Sequence, residues 1–271
     1  MAEISAKDVM NLRNRTGLAM MACKKALVET GGDVEAAEDY LRKQLKGKME
    51  KRSDRAAGEG RIEIKVADDG SAAALVELKA ETDFTAKNDD FITCAAKCAE
   101  IVLAGDVGPA AVNDEMTKLI DDIRAKTGEN ISLGRAEKVD GSGASFAHYV
   151  HHDGKTGVLL VVEGDLNEDV ARQICMHVTA AVPRPAGVTP DDVPPEIVEK
   201  ERKFRVEQAV ESGKPQEIAE KMVEGGMRKF FSEVALIEQP FVMDPSKKVK
   251  DLLGGATIRK FYRWQVGETD D

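Results

Sequence analysis

The sequence predicts an α+β protein. A small N-terminal module of three helices precedes two related α+β subdomains with small antiparallel sheets, and a helical hairpin is inserted into the second. Three observations predict this. Between Ser5 and Leu41 apolar residues recur at helical spacing, in three short stretches separated by Gly-containing breaks. From Arg61 the spacing shifts to alternation, the two-residue period of a strand. An Asp-Gly turn flanked by alternating residues then occurs twice, at Asp69-Gly70 and Asp153-Gly154, 84 positions apart (153 − 69).

Ser5 precedes a first helix with Val9 and Leu12 on one face, and Arg15-Thr16-Gly17 ends it. A second helix carries Met20, Met21, Cys23, Ala26 and Leu27 and stops at Gly31-Gly32. Asp33 caps a third, with Val34, Ala37, Tyr40 and Leu41 inward. Such a bundle is too small for chemistry of its own and serves to present a surface. Two adjacent methionines cannot both face inward on a helix, so at least one of Met20 and Met21 is left for a partner. The Lys/Arg-rich segment 42–61 reads as a solvated helix end and linker.

Ile62, Ile64 and Val66 form a strand, Asp68-Asp69-Gly70 turns, and Ala74-Leu75-Val76-Glu77-Leu78-Lys79 reads as a half-buried second strand. The corner Glu81-Thr82-Asp83-Phe84 follows, with Thr82 as N-cap and Asp83 at the positive end of the helical turn. A Phe beside an acid at such a corner reads either as a hydrophobic staple or as an aromatic hot spot offered to a partner. A helix spans 89–104, another carries Met116, Leu119, Ile120 and Ile123, and Glu129–Leu133 suggests a third strand. The order then repeats: Phe146, His148 and Val150 alternate, His152–Lys155 turns, Gly157–Glu163 is a strand, and a helix carries Val170, Ile174, Val178 and Ala181. Pro194-Pro195 opens one helix of the hairpin, Ser212-Gly213-Lys214-Pro215 breaks it, and Ile218, Met222, Val223, Phe230 and Phe231 mark the second. Its first helix is charge-rich and thinly apolar, the pattern of an arm that projects into solvent or pairs with a second copy. Thr257–Val266 is a late strand expected to close the second sheet. The boundaries that follow are 1–55 for the N-terminal module, 56–61 for a linker and 62–140 for the first subdomain. The second takes 141–190 and 234–267, and the hairpin 191–233.

The 49 acidic and 39 basic residues leave a net charge of −10, which argues against non-specific nucleic-acid binding. Residues 1–61 nevertheless hold 13 Lys/Arg against 10 Asp/Glu, with the excess in Arg42-Lys43, Lys46, Lys48, Lys51-Arg52 and Arg55. Cys23, Cys94, Cys98 and Cys175 are too scattered for a disulfide scaffold. Cys94 and Cys98 share a helix face without a second ligand pair, so buried thiols are expected there rather than zinc. His148, His151 and His152 cluster at the second turn with Asp153 but no further acid, which favours edge-strand histidines over a metal. Met1–Met10 lacks an apolar core, and the run Val158–Val162 is far short of the about 20 residues a bilayer needs, so a soluble, cytoplasmic protein is expected. Neither a phosphate-binding glycine loop nor a nucleophile elbow is present, so no enzyme and no cofactor are expected.

Several stretches resemble the bacterial translation elongation factor Ts family. Thr82-Asp83-Phe84-Thr85-Ala86-Lys87-Asn88 is similar to its Thr-Asp-Phe-Val-Ala-Lys/Arg-Asn/Asp motif, and Arg15–Leu27 to its N-terminal signature, with Ala19 and Ala22 where Gly and Asp are common. Met176–Ala181, Gly213–Gly225 and Gln239–Met243 are similar to further family segments in the right order. The chain ends soon after the late strand, without the C-terminal helical module of some members. The resemblance implies a ubiquitin-associated-like (UBA-like) N-terminal module and a guanine nucleotide exchange factor acting on elongation factor Tu. It implies an exchange wedge of Thr82, Asp83 and Phe84, and N-terminal contacts from Arg13, Met20 and Met21. Core contacts would come from Thr127, Gly128 and His152, with Thr127 standing where the family has an apolar residue. The alternative is a scaffold that docks proteins through the hairpin and basic segment without promoting exchange.

Overall fold

The computed structural model describes residues 4–50, 55–213 and 215–268, and side chains throughout these except at 45–50. Lys51, Arg52 and Lys214, and the side chains of Lys46 and Lys48, lie outside the described residues. The chain divides into two compact units: one runs up to Lys65 and takes Ala74–Lys138 and Val266 onward, and the other takes Val66–Ala73 and Val139–Gln265.

The first unit begins with three helices, α1 (Ala6–Thr16), α2 (Met20–Glu29) and α3 (Val34–Glu50). Ser5 and Asp8 cap α1 reciprocally, satisfying amides that the helix cannot pair itself. Gly17 ends it at φ +70°, a left-handed turn that glycine adopts without strain. Val9, Leu12, Cys23, Ala26, Leu27, Ala37 and Leu41 form the bundle's core. The linker placed at 56–61 is already strand from Glu59, and the segment read as a helix end and linker is helical to Glu50. Its Arg, Lys, Gln and Leu residues are strong helix formers, and charge alone does not end a helix.

Strands β1 (Glu59–Val66) and β2 (Ala72–Ala80) follow, then a one-turn helix α4 (Asp83–Ala86), α5 (Asp89–Ala104), β3 (Gly108–Pro109), α6 (Asp114–Thr127) and β4 (Ser132–Asp140). Among the described residues the sheet order is β1-β2-β4-β3. Central β2 is therefore buried on both faces rather than half-buried, with Ala74, Val76 and Leu78 packed with Phe91, Cys98 and Val102 of α5. Glu77, on the other face, is fully buried. It accepts a bond from Arg135 Nε at 2.8 Å and one from the Gly267 amide at 2.8 Å, which makes the burial tolerable. A side chain at Gly134 would collide with this carboxylate at 2.9 Å. The third strand starts at Ser132, not Glu129, because Glu129 and Asn130 are engaged with the corner described below.

The second unit is built on β5 (Ser145–Val150), β6 (Thr156–Glu163) and α7 (Glu168–Ala180). The arm follows as α8 (Pro195–Glu211) and α9 (Gln216–Val234), and then β7 (Pro240–Phe241), β8 (Asp244–Lys248) and β9 (Thr257–Gln265). As the pattern predicts, the late strand β9 pairs antiparallel with β6, giving the order β5-β6-β9. Val158, Leu160 and Val162 of β6 meet Ile174, Cys175 and Val178 of α7. The repeat is visible bond for bond in the two turns. Ala67 and His151 each donate to the carbonyl five residues on, Gly70 and Gly154 each close back three residues, and Asp69 and Asp153 each accept from the amide two residues on. All four cysteines are buried and unbridged. Burial lifts the Cys175 thiol to about 12, and Cys94, beside Cys98, is also pushed up, so neither is a ready thiolate. Among the described residues no helix is long and apolar enough to cross a membrane.

Candidate partner-binding surface

The chain leaves β2 at Ala80 and turns through Glu81 into α4. Thr82 is its N-cap, the hydroxyl accepting from the Thr85 amide at 3.3 Å. Thr85 and Ala86 face inward and are buried, which turns the residue just before them outward. That residue is Phe84, 84 % exposed. The ring is thus no staple against the protein's own core. Asp83 lies beside it in the first turn, its carboxylate accepting from Lys87 Nζ at 2.7 Å. The turn is separate from the long helix: Asn88 caps α5 afresh through the Asp90 amide.

A four-residue helix has no cooperativity of its own, and the surroundings hold this one. Glu129 takes both donors of Thr82, the amide at 3.1 Å and the hydroxyl at 2.6 Å. In return Glu81 accepts from the Asn130 amide at 2.7 Å. Asn130, itself buried, donates to the Arg55 carbonyl at 2.8 Å, and Arg55 pairs with Glu81 at 3.4 Å. Glu129 reaches the corner because Gly128 ends α6 in the left-handed region, at φ +73°. The Thr127 hydroxyl donates to the Ile123 carbonyl at 2.9 Å and accepts from the Glu129 amide at 3.3 Å. A threonine at this position therefore caps its own helix, a role an apolar residue cannot fill. The structure thus brings Thr82, Asp83 and Phe84 together with Thr127 and Gly128.

Arg13, Met20 and Met21 are all exposed, Met20 by 39 % and Met21 by 73 %, so both methionines are left open. In the second unit His152 is exposed at the β5–β6 turn, its ring 4.2 Å from that of His151, which is bonded to the Tyr149 hydroxyl at 3.1 Å. Among the described residues no three His, Cys, Asp or Glu side chains converge on a metal position.

His177 has a different character. It is fully buried, and Nδ1 accepts from the Val242 amide at 3.1 Å. The proton therefore sits on Nε2, which donates to Gln239 Oε1 at 3.0 Å. Gln239 in turn donates to the carbonyls of Pro183 and Glu233. Burial holds the imidazole below its ordinary value, with the Gln239 bond opposing. At residues of this network or next to them in sequence stand exposed Val182, Val242 and Met243, apolar side chains that the alternation pattern had not singled out. Between α8 and α9 runs an open groove of about 610 Å³ lined by Val206, Val210, Val223, Met227 and Phe231.

A sequence profile for the family described as Elongation factor TS matches residues 81–268, starting at this corner. The chain is 42 % identical to elongation factor Ts of Thioalkalivibrio sulfidiphilus, over 98 % of its own length and 92 % of the relative's. It is 43 % identical to that of Alkalilimnicola ehrlichii, with the same coverage. With that of Actinobacillus succinogenes it shares 44 % identity, over 99 % and 93 %.

Proposed function

The chain belongs to the elongation factor Ts family, and on that premise we propose that it is a guanine nucleotide exchange factor. It binds elongation factor Tu in the GDP-bound state, promotes release of GDP and stabilises the nucleotide-free state during translation elongation in the cytoplasm. The observation that carries this reading is Phe84, an 84 % exposed aromatic ring on a clamped corner with a carboxylate beside it. Aromatic rings are enriched among the residues that carry binding energy at interfaces.

The partner holds its nucleotide with phosphate-cradling amides and a magnesium ion. Phe84 enters between helices of the G domain near the switch region, and Asp83 disturbs the network around magnesium. Thr127 and Gly128 line the same contact. Arg13, Met20 and Met21 grip a second helix of the G domain, while His152, with exposed Val182, Val242 and Met243, holds a distal domain. Exchange is accelerated because the chain binds the emptied partner more tightly than the loaded one; only such a difference shifts the equilibrium. No covalent step and no cofactor of its own are required.

Stopped-flow release of a fluorescent GDP from elongation factor Tu tests this. The chain at a tenth of the partner's concentration should speed release through repeated turnovers. A rate equal to the spontaneous one would leave the scaffold reading. That second reading is favoured by one observation, the apolar α8–α9 groove with exposed Phe204 and Val210. The same surface suits pairing of two copies through the arm, which light scattering would report as a doubled mass.

A further inference from the structure

We propose that Glu129 is the positioning residue of the exchange corner, and that Glu81 and Glu129 form a crossed clamp that turns two distant segments into one rigid contact surface. The inference rests on the exchange reading above and goes beyond it by assigning a role to residues outside the contact surface. Glu129 lies 47 residues from Thr82 in sequence, yet it receives both the Thr82 amide and the Thr82 hydroxyl. The reciprocal bond runs from the Asn130 amide to Glu81. Adjacent residues on each segment therefore exchange carboxylate–amide bonds, and neither segment can rotate without breaking two of them.

The polarity of the chain matters. A hydroxyl that donates its hydrogen to Glu129 at 2.6 Å turns its lone pairs elsewhere, and one of them accepts the Thr85 amide at 3.3 Å. The ionised carboxylate thus fixes the cap, and the cap fixes the single turn from which Phe84 projects. Phe84 makes no burial of its own that would hold the turn in place. Without Glu129 the ring keeps its exposure but loses its direction. A ring that must be ordered during association loses part of its binding energy to that ordering. Because Glu129 directly follows Thr127 and Gly128, a partner seated on the end of α6 also registers the wedge.

The test is a cycle of Glu129→Gln and Phe84→Ala, singly and together, read as GDP release from elongation factor Tu. Glutamine keeps the volume and loses one of the two acceptors. We expect Glu129→Gln to slow release on the order of tenfold, the scale of one charge-assisted hydrogen bond, and less than about twofold once Phe84 is already alanine. Equal fold-losses in both backgrounds would mean that Glu129 acts on general integrity rather than through the ring, and would overturn the inference. So would an unchanged rate in Glu129→Gln when Phe84→Ala alone slows release. Should Glu129→Gln lose the native circular dichroism, Thr82→Val, which removes the same hydroxyl link, replaces it in the cycle with the same expectation. A second readout needs no partner. Amide hydrogen exchange at Thr82 and Thr85 in the free chain should accelerate on the order of tenfold or more in Glu129→Gln. If Phe84→Ala has no effect on release while these amides do accelerate, the wedge fails and the clamp stands. If the amides are unchanged, the clamp fails.

Discussion

Replacing Phe84 with alanine separates binding from folding. The ring is 84 % exposed, so its removal takes almost nothing from the protein's own core. Surface substitutions of this kind stay within about 0.5 kcal/mol of wild-type stability. On the partner the balance is reversed. A phenylalanine can bury about 150 Å², which at about 25 cal/mol per Å² is worth about 4 kcal/mol. The Cβ that alanine retains and the cost of fixing the ring reduce this to about 2–3 kcal/mol, within the range of an interface hot spot. That corresponds to a roughly 30- to 150-fold loss in the exchange rate at sub-saturating concentration. The assay is stopped-flow release of a fluorescent GDP, with thermal unfolding of the free variant alongside. Two results would refute the reasoning: wild-type exchange with native circular dichroism, or a drop in Tm of more than about 5 °C, which would mean that the ring is packed in solution.

Four further outcomes follow from the same geometry. His177 is held below the ordinary imidazole value by burial, so the unfolded chain binds the extra proton first as pH falls. Stability is therefore unaffected by this group above about pH 6.5 and falls below it by up to about 1.4 kcal/mol per unit until the folded group itself titrates. Urea unfolding at pH 5.5 and 7.5 should show a smaller difference for His177→Gln than for wild type. Arg135→Met leaves the buried Glu77 carboxylate without its closest cation and should cost about 3 kcal/mol, read as a lowered urea midpoint. Met21→Asp should weaken binding to elongation factor Tu by about tenfold or more without moving Tm, since the side chain is 73 % exposed. The native chain should react with a thiol reagent only as fast as it unfolds, because all four cysteines are buried.

Periodicity found the elements wherever one face was apolar and the other polar. The repeated Asp-Gly turns fixed two hairpins, and the structure reproduces their bonding at the same offset. The Thr82 cap was also readable, because capping is a local rule, whereas the residues alone left Phe84 between a staple and an exposed ring. What was not readable depended on partners far along the chain. Glu77 looks like the polar residue of an alternating strand, and only the position of β2 between β1 and β4 reveals that it is buried. Its bond to Gly267 spans 190 positions. β4 was assigned too early because Ile131 and Leu133 alternate, whereas the two residues before them are engaged with the corner. The extent of α3 was missed because a dense run of charge resembles both a solvated helix and a linker. His177 and Gln239 are separated by 62 positions, so a satisfied core histidine had no local signature.

The central claim is a difference in affinity between two states of one partner, and it can be measured as such. Calorimetric titration of the chain into elongation factor Tu, once stripped of nucleotide and once saturated with GDP, gives two dissociation constants. The account predicts that GDP weakens binding by about tenfold or more, and that the chain weakens GDP binding by the same factor. Equal constants in the two titrations would contradict it, however tightly the proteins associate.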